Sequence, residues 1–111
     1  MRDDHERMLD IVEAADRVRE LVSRGKPSYD NDAVVQDAMV RRVEIIGEAV
    51  SKITPESRNR HSNVPWRDVV ALRNRVAHGY FDIDLELIWQ IAEQSVPALA
   101  AHVQRILDET S

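Results

Sequence analysis

The sequence predicts an all-α fold, a four- to five-helix up-and-down bundle built from four main helices. Three observations carry that expectation. Apolar residues recur at helical spacing through most of the chain, and no stretch alternates long enough to form a strand. The breaks between the periodic stretches carry capping residues, Gly or Pro. With 111 residues, the chain is read as one domain, residues 1–111, with enough length for a single core.

The first helix is expected over roughly 3–24, with Met8, Ile11, Ala15, Val18 and Val22 on one face and Leu21 beside them. Arg24 supplies a cation in the last turn, Gly25 a C-cap, and Pro27 forbids easy continuation. KPSYDND follows as a short polar loop, in which Asp30 or Asn31 caps the next helix. That second helix, roughly 31–53, turns Val35, Ala38 or Met39, Arg42, Ile45 or Ile46, Ala49 and Ile53 inward. Gly47 costs about 1 kcal/mol relative to Ala inside a helix, so a close helix–helix approach is expected there. Glu44 and Glu48 repel at i, i+4, which Arg41 and Lys52 can relieve.

Thr54-Pro55-Glu56 reads as a cap with proline at the first helical position, hence a short helical turn. After the break HSNVP, Pro65 opens a third helix with Trp66, Val69, Val70, Leu72 and Val76 as apolar positions. It is expected to end near His78, before Gly79. The last helix starts from Asp82 or Asp84 and carries Leu85, Ile88, Ile91, Ser95, Leu99, Val103 and Ile106 in one stripe. Pro97 inside it predicts a kink, with the lost hydrogen bond about one turn earlier.

Hydrophobic residues make up 43% of the chain and charged residues 32%, with 3 Gly and 4 Pro, the balance of a soluble helical protein rather than a disordered or fibrous one. There is no cysteine, which excludes disulfides, thiolate metal sites and thiol nucleophiles. MRDDHERMLD is too charged for a signal peptide and no apolar run approaches membrane-spanning length, so a cytoplasmic location without membrane association is expected. The net charge of −5 opposes unspecific nucleic-acid binding, so any such role requires a local basic site. One is available. Residues 58–75 hold Arg58, Arg60, Arg67, Arg73 and Arg75 against the single acid Asp68, whereas residues 82–93 hold Asp82, Asp84, Glu86 and Glu93 with no Lys or Arg.

The densest chemistry lies in RNRVAHGY, residues 73–80. Metal-free cleavage of RNA requires deprotonation of a 2′-hydroxyl, stabilisation of a charged phosphorane and protonation of the departing 5′-oxygen. His78 titrates near neutrality and can act as base or acid. Arg73 presents a permanent cationic fork to the phosphate, and Asn74 can orient the histidine or a phosphate oxygen. On an ideal helix Asn74 and Arg75 share the face of His78, while Arg73 lies about 140° away. Either the helix end bends at Gly79, or two copies of the segment meet across a two-fold axis and share the site. Structural roles compete for the same residues. A histidine near a helix C-terminus favours the dipole, Arg73 and Arg75 can pair with acids of the second helix, and Tyr80 can be an ordinary half-buried aromatic.

Arg73-Asn74-Arg75-Val76-Ala77-His78-Gly79-Tyr80 resembles the Arg-x4-His-x-Tyr motif of HEPN-domain toxins of the HepT type. RRVEIIGEAV upstream, the lead-in VPWRDVVALRN and the trailing FDIDLELIW are also similar to that family, so the resemblance covers nearly the whole chain in the expected order. It implies a homodimeric helical bundle acting as a metal-independent endoribonuclease, with no cofactor, as the toxin of a type VII-like toxin–antitoxin pair. The implied partner is a Mnt-type nucleotidyltransferase antitoxin that attaches AMP to the motif tyrosine. Carried over by position, Arg73 and His78 are catalytic, Asn74, the polar residue that commonly follows the motif arginine, is counted with them, and Tyr80 is the modification target; Arg75 is a candidate substrate contact. Two other readings stand beside this one: a non-catalytic nucleotide- or RNA-binding partner subunit of a nucleotidyltransferase, and a dimerisation protein whose polar segment is structural.

Overall fold

The computed structural model describes residues 3–70 and 83–110. Every regular element among them is helical: α1 (Asp4–Ser23), α2 (Lys26–Asn31), α3 (Ala33–Ser51), α4 (Pro55–Arg60), α5 (from 66 to the limit of the described stretch at 70), and a last helix made of α6 (Leu85–Gln90), a π-helical turn (Ile91–Ser95) and α7 (Val96–Thr110). This is the expected all-α architecture. Among the described residues, no helix is long and apolar enough to cross a membrane.

The helix starts follow the side chains that the sequence offers for them. Asp3, Thr54 and Asp84 each accept a hydrogen bond from the backbone N–H three residues on, satisfying a donor the helix itself cannot pair. α3 is capped by Asp32, whose carboxylate accepts from the Val34 amide at 2.9 Å; neither Asp30 nor Asn31 performs this role. The reason is that those two residues already belong to α2. KPSYDND is therefore not a loop: Pro27 sits in the first turn of a six-residue helix, and Asn31 donates its side-chain amide to the Pro27 carbonyl. At the end of α1 the amides of Arg24 and Gly25 close back on the Leu21 and Val22 carbonyls. Gly25 then takes φ 91°, ψ 154°, a conformation essentially reserved for glycine, and this reverses the chain into α2.

α1 packs mainly against α3 and α7, and their apolar stripes form one core. Ile11, Val18, Met39, Val50 and Val103 are essentially inaccessible to solvent. On α3, Val35, Met39, Ile46 and Ala49 are buried as expected, joined by Val40, Val43, Gly47 and Val50, and Arg42 stays half-buried; the helix ends at Ser51, short of the expected 53, and Ile53 is buried just beyond it. The buried face is thus wider than the predicted stripe because α3 is covered on more than one side. Glu48 pairs with Lys52 at 3.2 Å, both on the surface.

The turn ahead of Pro97 departs from the α-helix as a π-helical turn. The Pro97 ring cannot accept the turn of α-helix in front of it, and the backbone widens over Ile91–Ser95, where the Val96 amide reaches back five residues to the Ile91 carbonyl. Ile88, Ile91, Leu99, Val103 and Ile106 are buried along this helix, with Leu85 and Ser95 half-buried.

One lock was not foreseen. The Asp4 carboxylate accepts hydrogen bonds from the Thr54 amide (3.1 Å), the Thr54 hydroxyl (2.6 Å) and the Ser57 hydroxyl (2.7 Å), fastening the start of α1 to the start of α4. Desolvation works against its charge, but the Thr54 and Ser57 hydrogen bonds and the nearby Arg60 cation outweigh it, so the Asp4 carboxyl lies below the usual carboxylate range.

Candidate functional site

Arg73, Asn74, Arg75, His78 and Tyr80 all lie outside the described residues, as do Leu72, Val76 and the expected end of the third helix at Gly79. The structure does describe what leads into that segment and what receives the chain after it.

The lead-in is built from α4, a tight turn and the first residues of α5. The His61 carbonyl accepts from both the Val64 amide (3.1 Å) and the Trp66 indole N–H (3.0 Å), and the Trp66 amide donates to the Val64 carbonyl at 2.8 Å. Val64 and Trp66 are buried, so the turn is fixed by its own hydrogen bonds and by an apolar anchor. Pro65 stands just ahead of α5, and the Val69 amide closes the first helical bond to the Pro65 carbonyl at 3.2 Å.

Arg58 has a job that composition could not reveal. Its guanidinium donates to the Ile53 carbonyl (3.2 Å) and the Val50 carbonyl (2.8 Å), satisfying acceptors at the C-terminus of α3. Arg60 donates to the Ser57 hydroxyl at 3.3 Å, while Arg67 projects from the exposed side of α5. The cationic group predicted over 58–75 is therefore mixed in purpose: Arg58 is partly structural and Arg67 faces solvent. Arg58, Asn59, Ser62 and Arg67 line a cleft of about 350 Å³, with Val64, Pro65 and Trp66 as its apolar wall and Asp68 as its one acid.

On the far side, the chain is received by the first turn of α6, and α2 holds that turn from outside. Tyr29 is fully buried, donates its hydroxyl to the Leu85 carbonyl at 2.7 Å, and stacks obliquely on Trp89 with ring centroids 5.2 Å apart. Burial, with the negative charges of Glu86 and Asp30, pushes the Tyr29 hydroxyl up to about 12, so it remains a donor at any working pH. Lys26 bridges Asp30 (3.0 Å) and Glu86 (2.7 Å), and these hydrogen bonds raise its pKa above the ordinary lysine value. Gln36 on α3 in turn donates to the Tyr29 carbonyl at 3.0 Å. A segment that reads as polar linker is thus a clamp on the residues that follow the motif. The available signal was a lone aromatic between Pro27 and Asp32, which composition alone does not separate from a surface tyrosine.

Of the charges that the sequence sets on either side of the segment, those of Arg73, Arg75 and Asp82 lie outside the described residues. Arg58, Arg60 and Arg67 stand at the lead-in, and Asp84 and Glu86 at the exit, with Lys26 offsetting the latter. Among the described residues, no group of three or more His, Cys, Asp or Glu side chains is arranged to hold a metal ion.

Comparison with known proteins identifies the setting. The model of a family described as "Ribonuclease HepT-like" matches residues 11–106. A Methanocaldococcus jannaschii protein named "Putative RNase" is 37% identical over 98 residues, covering 87% of this chain and 90% of that protein. A Thermococcus cleftensis protein named "Probable ribonuclease HepT" is 29% identical, covering 87% and 89% respectively. A longer Methanocaldococcus jannaschii protein named "Gamma-glutamylcyclotransferase and putative RNase" is 30% identical over 89% of this chain, and the match spans 45% of its length. No solved structure matches the chain at a significant level. The match to the family model runs through the bundle and across the RNRVAHGY positions, and the chain belongs to the HepT-like ribonuclease family.

Proposed function

We propose that this chain is a metal-independent endoribonuclease that cleaves RNA by attack of a 2′-hydroxyl on the adjacent phosphate. The observation that carries the reading is the family match over residues 11–106, which includes the Arg-x4-His-x-Tyr positions in sequence. His78 is the proton-transfer residue, taking the 2′-hydroxyl proton or giving one to the leaving 5′-oxygen. Arg73 holds the phosphate as its charge builds in the transition state, Asn74 orients these groups, and Arg75 contacts the RNA backbone. The chain works as a homodimer, which brings a second His78 to the site and so supplies a base and an acid together.

The same reading makes the protein the toxin of a type VII-like pair, silenced by a Mnt-type nucleotidyltransferase antitoxin that adds AMP to Tyr80. Tyr80 lies two residues from His78. A nucleotide there would place negative charge and bulk where the RNA phosphate must sit.

The test is cleavage of RNA by the purified chain in the presence of chelator. His78→Ala should lower the rate about 10²- to 10⁴-fold, the usual contribution of a positioned acid or base, with fold and dimer retained. Equal cleavage by His78→Ala would refute the assignment. Nucleotide binding without any cleavage by the unmodified chain would instead make it a non-catalytic partner subunit. The intact mass of the chain co-expressed with its nucleotidyltransferase should rise by whole AMP units, and Tyr80→Phe should abolish the increase.

A further inference from the structure

Three surface hollows among the described residues differ in what they could hold. The groove between α1 and α7, about 300 Å³, is walled mainly by apolar residues such as Val12, Ala15, Val96 and Ala100. The shallow one along α1 sets Glu13, Asp16 and Glu20 against Arg17 and Arg19, an arrangement that repels an anion. The cleft between α4 and α5 differs from both. Its polar lining is Arg58, Asn59, Ser62 and Arg67 against Asp68 alone, a net charge of +1 from two cations and one anion in a chain whose total is −5.

The chemistry of that lining selects its ligand. Arg58 is held in place by the carbonyls of Val50 and Ile53, which use two of the five N–H donors of its fork. Arg67 is exposed and adds a second fork. Arginine together with neutral Asn and Ser donors is the usual equipment for contacting backbone phosphates of a nucleic acid. Trp66 is only 6% exposed, so it offers no face on which a base could stack. A net charge of +1 suits one phosphodiester monoanion better than a nucleoside triphosphate. Eleven residues separate Arg67 from His78, three turns of helical spacing to within about 20°, so on the helix that the sequence predicts the two share a face.

We propose that the α4–α5 cleft, through Arg58, Asn59, Ser62 and Arg67, binds one backbone phosphate of the RNA strand at a distance from the bond being cut. The inference rests on the ribonuclease reading and adds to it a subsite that reads backbone rather than base.

The experiment uses the full-length His78→Ala chain, so that RNA persists, with a fluorescently labelled oligouridine of about a dozen nucleotides followed by anisotropy. Adding Arg67→Gln should weaken binding about tenfold and reduce the slope of log Kd against log salt by about 0.7, the loss of one single-strand phosphate contact. Arg67→Lys should keep the salt slope while recovering only part of the affinity, because it restores the charge without the fork. Coincident thermal melts of the variants confirm that the fold is retained. Unchanged affinity and slope in Arg67→Gln overturn the subsite, as does an effect confined to capture of the nucleotidyltransferase. If the unmodified chain binds the probe with this dependence on Arg67 but never cleaves it, the subsite stands and the catalytic reading falls.

Discussion

Replacing Tyr29 with phenylalanine removes one oxygen and keeps the ring. That oxygen donates to the Leu85 carbonyl at 2.7 Å from a side chain with 1% exposure. Leu85 is the first residue of α6, so its carbonyl also faces the amide four residues on and is not left without a partner. The substitution also deletes the donor, so no buried group is orphaned. The expected cost is therefore the net value of one hydrogen bond, about 1 kcal/mol, rather than the larger penalty for a stranded polar group. Tyr29→Ala additionally opens a cavity beside Trp89 and should cost about 3–5 kcal/mol. In a domain of this size each kcal/mol corresponds to a fall in Tm of about 4–8 °C. Urea unfolding followed by tryptophan fluorescence suits the measurement, since Trp89 touches the altered ring. A Tyr29→Phe chain as stable as the parent would refute the clamp. A Phe variant as damaged as the Ala variant would show that the hydroxyl, not the packing, dominates.

Two further expectations concern the scaffold. Because the Asp4 pKa is lowered by folding, its contribution is complete above the ordinary value of 3.8 and fades as pH falls through the lower folded value. Asp4→Ala should lose about 1–2 kcal/mol at neutral pH and show a correspondingly shallower acid limb in a pH series of denaturant midpoints; parallel acid limbs for the two proteins would count against it. Gly25→Ala should cost about 1–3 kcal/mol by thermal melting. The added Cβ meets Pro27 Cδ at an ordinary 3.7 Å, so the penalty comes from φ 91°, and a neutral result would mean that the backbone there can relax.

Local chemistry was legible in the sequence where a residue acts on its own chain neighbours. Asp84 and Thr54 cap the helices that follow them, Gly25 ends α1, and Pro97 disturbs the turn before it; each effect spans six residues or fewer. Residues whose partners are distant in sequence were misread or missed. Asp4 has no role that its chain neighbours reveal, because Thr54 and Ser57 reach it from 50 and 53 residues away. Tyr29 sits in a polar stretch, and two of its partners, Leu85 and Trp89, lie more than fifty residues away; with it went the existence of α2. Arg58 counted toward a ligand-binding charge cluster, yet it also serves the carbonyl ends of α3. For the functional segment the spacing of Arg73, His78 and Tyr80 remains the source of the chemical reading, supported by a family match that spans them.

The π-helical turn at Ile91–Ser95 bears on how the parts of the bundle can vary. A residue inserted within a turn rotates everything beyond it by about 100°, close to a quarter of a circle. Upstream of this joint, α6 leans on α3 and, through Trp89, on Tyr29 of α2; downstream, α7 lies against α1. One continuous rod therefore answers to two sets of neighbours, with the change of heading absorbed where Pro97 has already released a hydrogen bond. The residues that follow the functional segment are thereby placed by α2 and α3 ahead of the joint, and the α1–α7 packing is placed behind it.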